Sequence, residues 1–258
     1  GMVFEDRGDD GGLFTAGVDT AKSGVKVRIY READKNTTIS NGDVYIAQQT
    51  TDGNGIYTFG PLPNYRYYVV VNSKEVYPMA LNSGFAQTVP WAEQTFRREF
   101  VSGSYYDVQA FGGTDPQVSD NFATWSNAVS ASNFQHLSVV DLTGGAQTVT
   151  GIDHGFSFNV VVNVADTGNN GPKVNGNQGT MRQFAINSNA IAGANAARFV
   201  MMTPSNTSSG SDSWWTVTAI SPLPDITDAN TSLNGVVYNS QGAVVNSNQA
   251  VFGGGTAG

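Results

Sequence analysis

The chain has no cysteine, only 13 Lys and Arg, two histidines and no apolar run of the length a bilayer demands, in 258 residues. Each shortage excludes something. Without cysteine there is no disulfide framework and no thiolate metal site, and His136 and His154 alone cannot build a His-rich zinc centre. Zero cysteines do not fix the compartment, since reduced cytosolic proteins and many large bacterial surface proteins both manage without disulfides. Scattered cations within a net charge of −8 argue against a nucleic-acid partner and against an anionic membrane surface. No segment is apolar for about 18 residues, so no membrane insertion is expected within this segment. No secretory leader is legible, and Gly1-Met2 running straight into strand-like sequence reads as an excised piece of a longer protein.

What is present points to sheets. Hydrophobic residues make up 40 % of the chain, enough for a sizeable core, while only 13 % are charged and glycine reaches 30. A mainly β class follows, and the low-Lys, Asn-, Gly- and Thr-rich surface tilts the expected location to the outside of a bacterial cell. Residues 24–30, GVKVRIY, place Val25, Val27 and Ile29 on one face and Lys26, Arg28 and Tyr30 on the other, as a half-buried strand requires. VYIAQQTT supplies an antiparallel partner across a polar loop ending in Asn41-Gly42. In TTDGNGIYTFGPLPNYRYYVVVN, Asp52-Gly53 and Asn54-Gly55 set a turn, IYTF alternates, Pro61 and Pro63 bar pairing, and YRYYVVVN reads as a long strand.

These segments, with the opening VFEDRGDDGG, resemble the B-type repeat of serine-aspartate repeat surface proteins (SdrD B-like) and the related Cna-B-like and carboxypeptidase-regulatory-like domains. Thr51, Asp52, Asn54, Gly55, Tyr57, Phe59, Leu62, Tyr67, Val69 and Val71 fall in register with that pattern. The resemblance covers roughly the first 75 residues and implies an immunoglobulin-like β-sandwich. Residues 76–155 read as an elaboration of it, with WAEQTFRREF, GSYYDVQAFGG and the clear strand HLSVVDL, closed by the long alternation of AQTVTGIDHGFSFNVVVNVADTG.

Thr180 and Gln183 make a capping-box pair, and Met181, Phe184 and Ala185 share a face, so a short amphipathic helix is expected over about 180–190. The surrounding GFSFNVVVNVADTG, GTMRQFAINSNA and LPDIT resemble the text with which a right-handed parallel β-helix begins in large bacterial surface proteins. Met181 stands where that pattern has Leu, Asn234 where it has Asp, and NGPKVNG interrupts the approach to the helix. The resemblance implies that 156–258 form a β-helix cap and its first rungs, WWTVTAI, TSLNGVVY and GAVVNSNQAVF, after a first unit at 1–155 (core 1–75, elaboration 76–155). A β-helix needs about three or more rungs, which makes this chain a fragment, with the catalytic part of any downstream enzyme absent.

Few residues suggest chemistry. Asp6, Asp9 and Asp10 crowd before a glycine pair, and Asp19 could close a structural calcium site as the later carboxylate does in the resembled domain, although Gly8 falls where that family has Asn or Asp. A solvated acidic turn is the alternative. No Gly-x-Ser-x-Gly elbow exists, Asp225 and Asp228 read as turn residues beside Pro224, and both histidines read as packed or rim residues. Lys26 and Asn72, with Asp43 as the acid, loosely suit an isopeptide of the Cna-B type. Tyr65, Tyr67, Tyr68, Trp91, Trp214 and Trp215 could stack on sugar rings, with strand alternation turning one of Tyr67 and Tyr68 outward. The expected function is a non-catalytic extracellular structural or adhesive module at the bacterial cell surface, with a glycan or protein as partner. Carbohydrate binding through exposed aromatics, or an accessory role beside a polysaccharide-degrading β-helix enzyme, are the alternatives.

Overall fold

The computed structural model describes residues 1–36, 38–40, 42–121, 134–145 and 147–246. It is mainly β, with several open sheets and a single α-helix among the described residues. The strands in chain order are β1 (Val3–Glu5), β2 (Thr20–Ala21), β3 (Lys26–Arg31), β4 (Val44–Thr50), β5 (Arg66–Val71), β6 (Glu93–Val101), β7 (Ser104–Gln109), β8 (Leu137–Asp141), β9 (His154–Ser157) and β10 (Val160–Val161). After helix α1 (Met181–Ala190) come β11 (Asn195–Phe199), β12 (Thr207–Ser209), β13 (Asp212–Trp214), β14 (Thr231–Tyr238) and β15 (Val244–Asn246).

Two sheets share one core. A four-stranded sheet has the order β4-β3-β5-β8, all antiparallel, and a five-stranded sheet has the order β2-β1-β9-β6-β7, in which only β1 and β9 run parallel. Val27, Ile29, Val69 and Val71 of the first sheet meet Val3 and Phe156 of the second in a continuous apolar cluster. The opposite side of the four-stranded sheet is also covered, since Tyr30, Tyr68 and Val70 pack with Ile39, Phe134 and Leu137. That second layer corrects the alternation argument for β5. Tyr67 and Tyr68 point to opposite faces as expected, yet both are buried because both faces are occupied.

Residues 1–75 do not build this pair of sheets alone. The five-stranded sheet draws β6, β7 and β9 from 93–157, so the segment expected to elaborate the first unit supplies its central pairing. The IYTF stretch forms no strand; Ile56 makes an isolated bridge to Met2, and Tyr57 is buried with its hydroxyl donating to the Ile152 carbonyl. The long alternation expected over 146–168 yields only β9 and β10, and of WWTVTAI only Trp214 lies in a strand. Asn41, part of DPQVSDNFATWSNAVSASNF, Ala146 and the end of GAVVNSNQAVF lie outside the described residues.

Two residues after β9 the chain enters a third sheet, of order β10-β11-β14-β15. β10, β11 and β14 are successive and parallel, with Val160 opposite Arg198 and Asn195 opposite Thr231, whereas β15 returns antiparallel against Val237 and Tyr238 alone. The crossover from β10 to β11 carries α1, and that from β11 to β14 carries the β12–β13 hairpin. Thr180 caps α1 by accepting from the Gln183 amide at 3.1 Å, as the sequence anticipates. The helix is not amphipathic in use, because nearly all of its residues are buried, polar ones included. Its polar side chains find internal partners instead: Arg182 forms a two-pronged pair with Asp166, and Gln183 donates to Asn187 at 2.8 Å.

Candidate functional site

The acidic N-terminal loop follows β1 directly. Asp6 is buried, and its carboxylate accepts from the amides of Asp10 at 3.3 Å and Gly11 at 2.9 Å. Asp19 reaches back to accept from Arg7 N at 3.0 Å and Thr15 N at 2.8 Å, and Asp10 accepts from Gly12 N at 2.8 Å. Burial raises the Asp6 pKa, and the Asp10 and Asp19 charges raise it further. Asp6 thus feels the charges of Asp10 and Asp19. Asp9 points elsewhere: in a left-handed conformation, φ 53°, it turns inward to accept from Ser157 Oγ and from Asn159 Nδ2 at 3.3 Å. Burial, then the Asp6 charge, pushes the Asp9 carboxyl up to about 7. The loop is thereby pinned to the junction of β9 and β10. Among the described residues no group of three or more His, Asp or Glu side chains is arranged to hold a metal ion.

The other sequence candidates disperse. Trp91 is 1 % exposed and committed to Ser73 Oγ through its indole N–H at 2.9 Å, so it offers no face to a sugar. Tyr65 remains exposed, beneath the Arg31 guanidinium at 4.8 Å, and Trp214 and Trp215 are half-buried, with Trp215 Nε1 donating to Thr203 O at 2.8 Å. Pairing sets Val27 opposite Val71, which brings Lys26 and Asn72 to the same end of β3 and β5, but Lys26 pairs with Glu75 and Asn72 accepts from Lys74 N at 3.2 Å. Asp43 lies at the other end of β3, accepting from Ala33 N and Ser40 N at 3.0 and 2.7 Å. The Lys–Asn–Asp constellation is not assembled. Asp228 accepts from Thr231 Oγ1 at 3.1 Å, and Asp225 offers its carbonyl to Asn189, as turn residues would.

What sequence reasoning missed is a buried polar seam where the α1 segment meets the facing sheets. Asp120, wholly inaccessible, accepts from Ser73 Oγ at 2.8 Å, and its amide donates to Gln178 Oε1 at 2.8 Å. Gln178 Nε2 donates to the Ala92 carbonyl at 2.7 Å and lies 3.0 Å from His136 Nε2. Glu93 stands 3.9 Å from that same histidine nitrogen. Farther along, Gln94 and Ser138 flank His154 at 3.0 and 3.3 Å. Burial dominates every charge here: it pushes Glu93 up to about 8 and Asp120 up to about 6, and it holds His136 down to about 3 and His154 well below its usual range. Ser73, Glu93, Asp120 and His136 are residue types that catalyse elsewhere; all four are buried, and the seam's bonds run between elements far apart in the chain. Their common role is to join segments far apart in the chain. Scattered over 73–178, they carry no local signal that a sequence could display.

No known family model matches this chain, and no solved structure matches it.

Proposed function

We propose that the chain is a non-catalytic structural module of a bacterial surface protein, an immunoglobulin-like β-sandwich of the SdrD B-like or Cna-B-like kind bonded to the capped beginning of a right-handed parallel β-helix. The observation that carries this reading is the order of the third sheet. Successive strands β10, β11 and β14 add in parallel, each after a crossover, with α1 against the first of them. Such stacking needs an end cap, because an open strand edge and its apolar layer invite unwanted pairing. Val161 packs on Met181 and Phe184 of α1, with Phe199 and Leu233 of the later strands against the same cluster, which suits that role.

In this reading a structural calcium ion at the loop would have to draw together the carboxylates of Asp6, Asp10 and Asp19, which here accept from backbone amides, while Asp9 serves as the strut to Ser157. The adhesive or glycan-binding alternative rests on the exposed Tyr65, just before β5, and Tyr106 of β7, which belong to different sheets, with Trp91 buried, and is the weaker for it. Two measurements test the proposal. Antibodies raised against the chain should label intact cells that express it, and absence of labelling removes the surface assignment. Melting should shift down with chelator and recover with calcium; an unchanged Tm returns Asp6, Asp10 and Asp19 to a solvated turn.

A further inference from the structure

The chain has only five lysines, at 22, 26, 35, 74 and 173, within a net charge of −8. Four of them converge on one turn, the short 3-10 helix Ser73–Glu75 and the two residues after it. Lys22 Nζ donates to the Tyr77 carbonyl at 2.8 Å while pairing with Glu5, and Lys26 pairs with Glu75. Lys74 Nζ lies 4.9 Å from the centre of the Trp91 ring. Lys173, which arrives from the NGPKVNG insert, donates to the Lys74 carbonyl and sits 4.9 Å from the centre of the Tyr77 ring. The first two ammonium groups are neutralised by carboxylates; Lys74 and Lys173 form no salt bridge among the described residues.

Two half-buried cations on one turn, partnered by aromatic rings and a carbonyl but by no carboxylate within ion-pair distance among the described residues, leave room for an anion. Lys173 is also held at φ 48°, a left-handed conformation that a non-glycine residue adopts at a cost and that clusters at ligand sites. We propose that Lys74 and Lys173 together hold one oxyanion group, a carboxylate or sulfate of the kind an acidic sugar carries, with the half-exposed Tyr77 ring beside it. The nearest carboxylates do not fill this role: Glu75 is taken by Lys26, and Asp120 lies behind Ser73 in the buried seam. Burial, then the Lys74 charge, brings the Lys173 amine down to about 8 against the opposing charge of Glu75, and burial lowers Lys74 against that of Asp120, so the distant carboxylates offset the lowering effect of burial only in part. A bound oxyanion reverses that effect, so binding takes up protons at pH 8. The inference does not depend on the surface-module reading.

Titration calorimetry at pH 8 in Tris and in triethanolamine, with trigalacturonate, inorganic sulfate and neutral cellotriose as probes, tests it. Binding of trigalacturonate alone assigns the oxyanion to a sugar, binding of sulfate as well assigns a free-ion site, and both support the proposal when the heat differs between buffers by the enthalpy of proton uptake. The Lys74→Gln/Lys173→Gln double variant, checked for its fold by circular dichroism, should bind at least about tenfold more weakly, a loss that calorimetry resolves. In the unaltered chain, trigalacturonate or sulfate should slow the modification of Lys173 by an amine-reactive reagent, read by peptide mass mapping. Silence from both anions up to about 10 mM, a range that covers weak single-site binding, overturns the proposal. So does binding equal to that of cellotriose, or binding that survives in the double variant.

Discussion

Glu93 is the residue on which the pH behaviour of the fold turns. Its carboxyl is buried at the contact with the α1 segment, has no lysine or arginine within ion-pair distance among the described residues, and holds its proton up to about 8. A raised carboxyl pKa stabilises the folded chain fully below the usual 4.5, and that contribution is lost as pH rises through 8; Asp120 adds the same sign between 3.8 and 6. His136 works the other way, since an imidazole kept neutral down to about 3 favours the unfolded chain as pH falls below 6.5. His154 adds to that acid limb. Asp9, raised to about 7, adds the Glu93 sign between 3.8 and 7, so thermal melting should decline as pH rises above about 6.5 and as it falls below about 3.8. Glu93→Gln, nearly isosteric and never charged, should flatten the alkaline limb and leave the acid limb in place. Each kcal/mol regained should appear as about 2–4 °C in Tm at pH 8.5. An unchanged alkaline limb in that variant would show that Glu93 ionises freely.

Among the elements, α1 depends on its polar side chains more than on its cap. Asn187 Oδ1 accepts from the Trp91 amide at 2.9 Å, and its Nδ2 donates to the carbonyls of Trp91 and Phe158, each at 2.9 Å. Removing that amide group strands three buried backbone groups, each worth about 1–3 kcal/mol when left unsatisfied. The Thr180 cap is worth about 1 kcal/mol. Asn187→Ala should accordingly lower stability to denaturant at least twice as much as Thr180→Ala, and equal losses would refute this ranking. The helix itself was legible, because Thr180, Gln183, Met181 and Phe184 announce a start and a buried face, and so were β3 and β4, whose β-branched residues alternate, and β5 and β14, whose valine runs read as strands. The full burial of α1 was not, since nothing local brings Asp166 to Arg182 or Trp91 to Asn187. IYTF misled for a related reason: it alternates, but the tight turn at Asp52–Gly55 and the prolines at 61 and 63 leave Tyr57 packed without a strand partner. At the candidate sites, the crowding of aspartates before Gly11 was visible, while the departure of Asp9 toward Ser157 depends on a contact across most of the chain.

At the scale of the whole molecule, the facing sheets and the parallel sheet are joined covalently through β9 and β10 and non-covalently through the seam. Asn82 Nδ2 donates to the carbonyls of Asn189 and Ile191 at 3.0 and 3.2 Å, adding a second attachment on the far side of α1. Calorimetry at pH 6 should then show one cooperative transition rather than two, because opening either part exposes unpaired polar groups of the other. Two separated transitions would mean that the seam contributes little.

The third sheet also has a direction. Along 231–236 the outer edge of β14 has no strand partner among the described residues, and α1 packs on residues of β10, β11 and β14. A ribosome delivers β10 and the helix before β11, and β11 before β14. Each of these later strands finds its parallel neighbour already made. The order of the residues is thus also a schedule, in which β11 and β14 are each laid on a strand that left the ribosome before them.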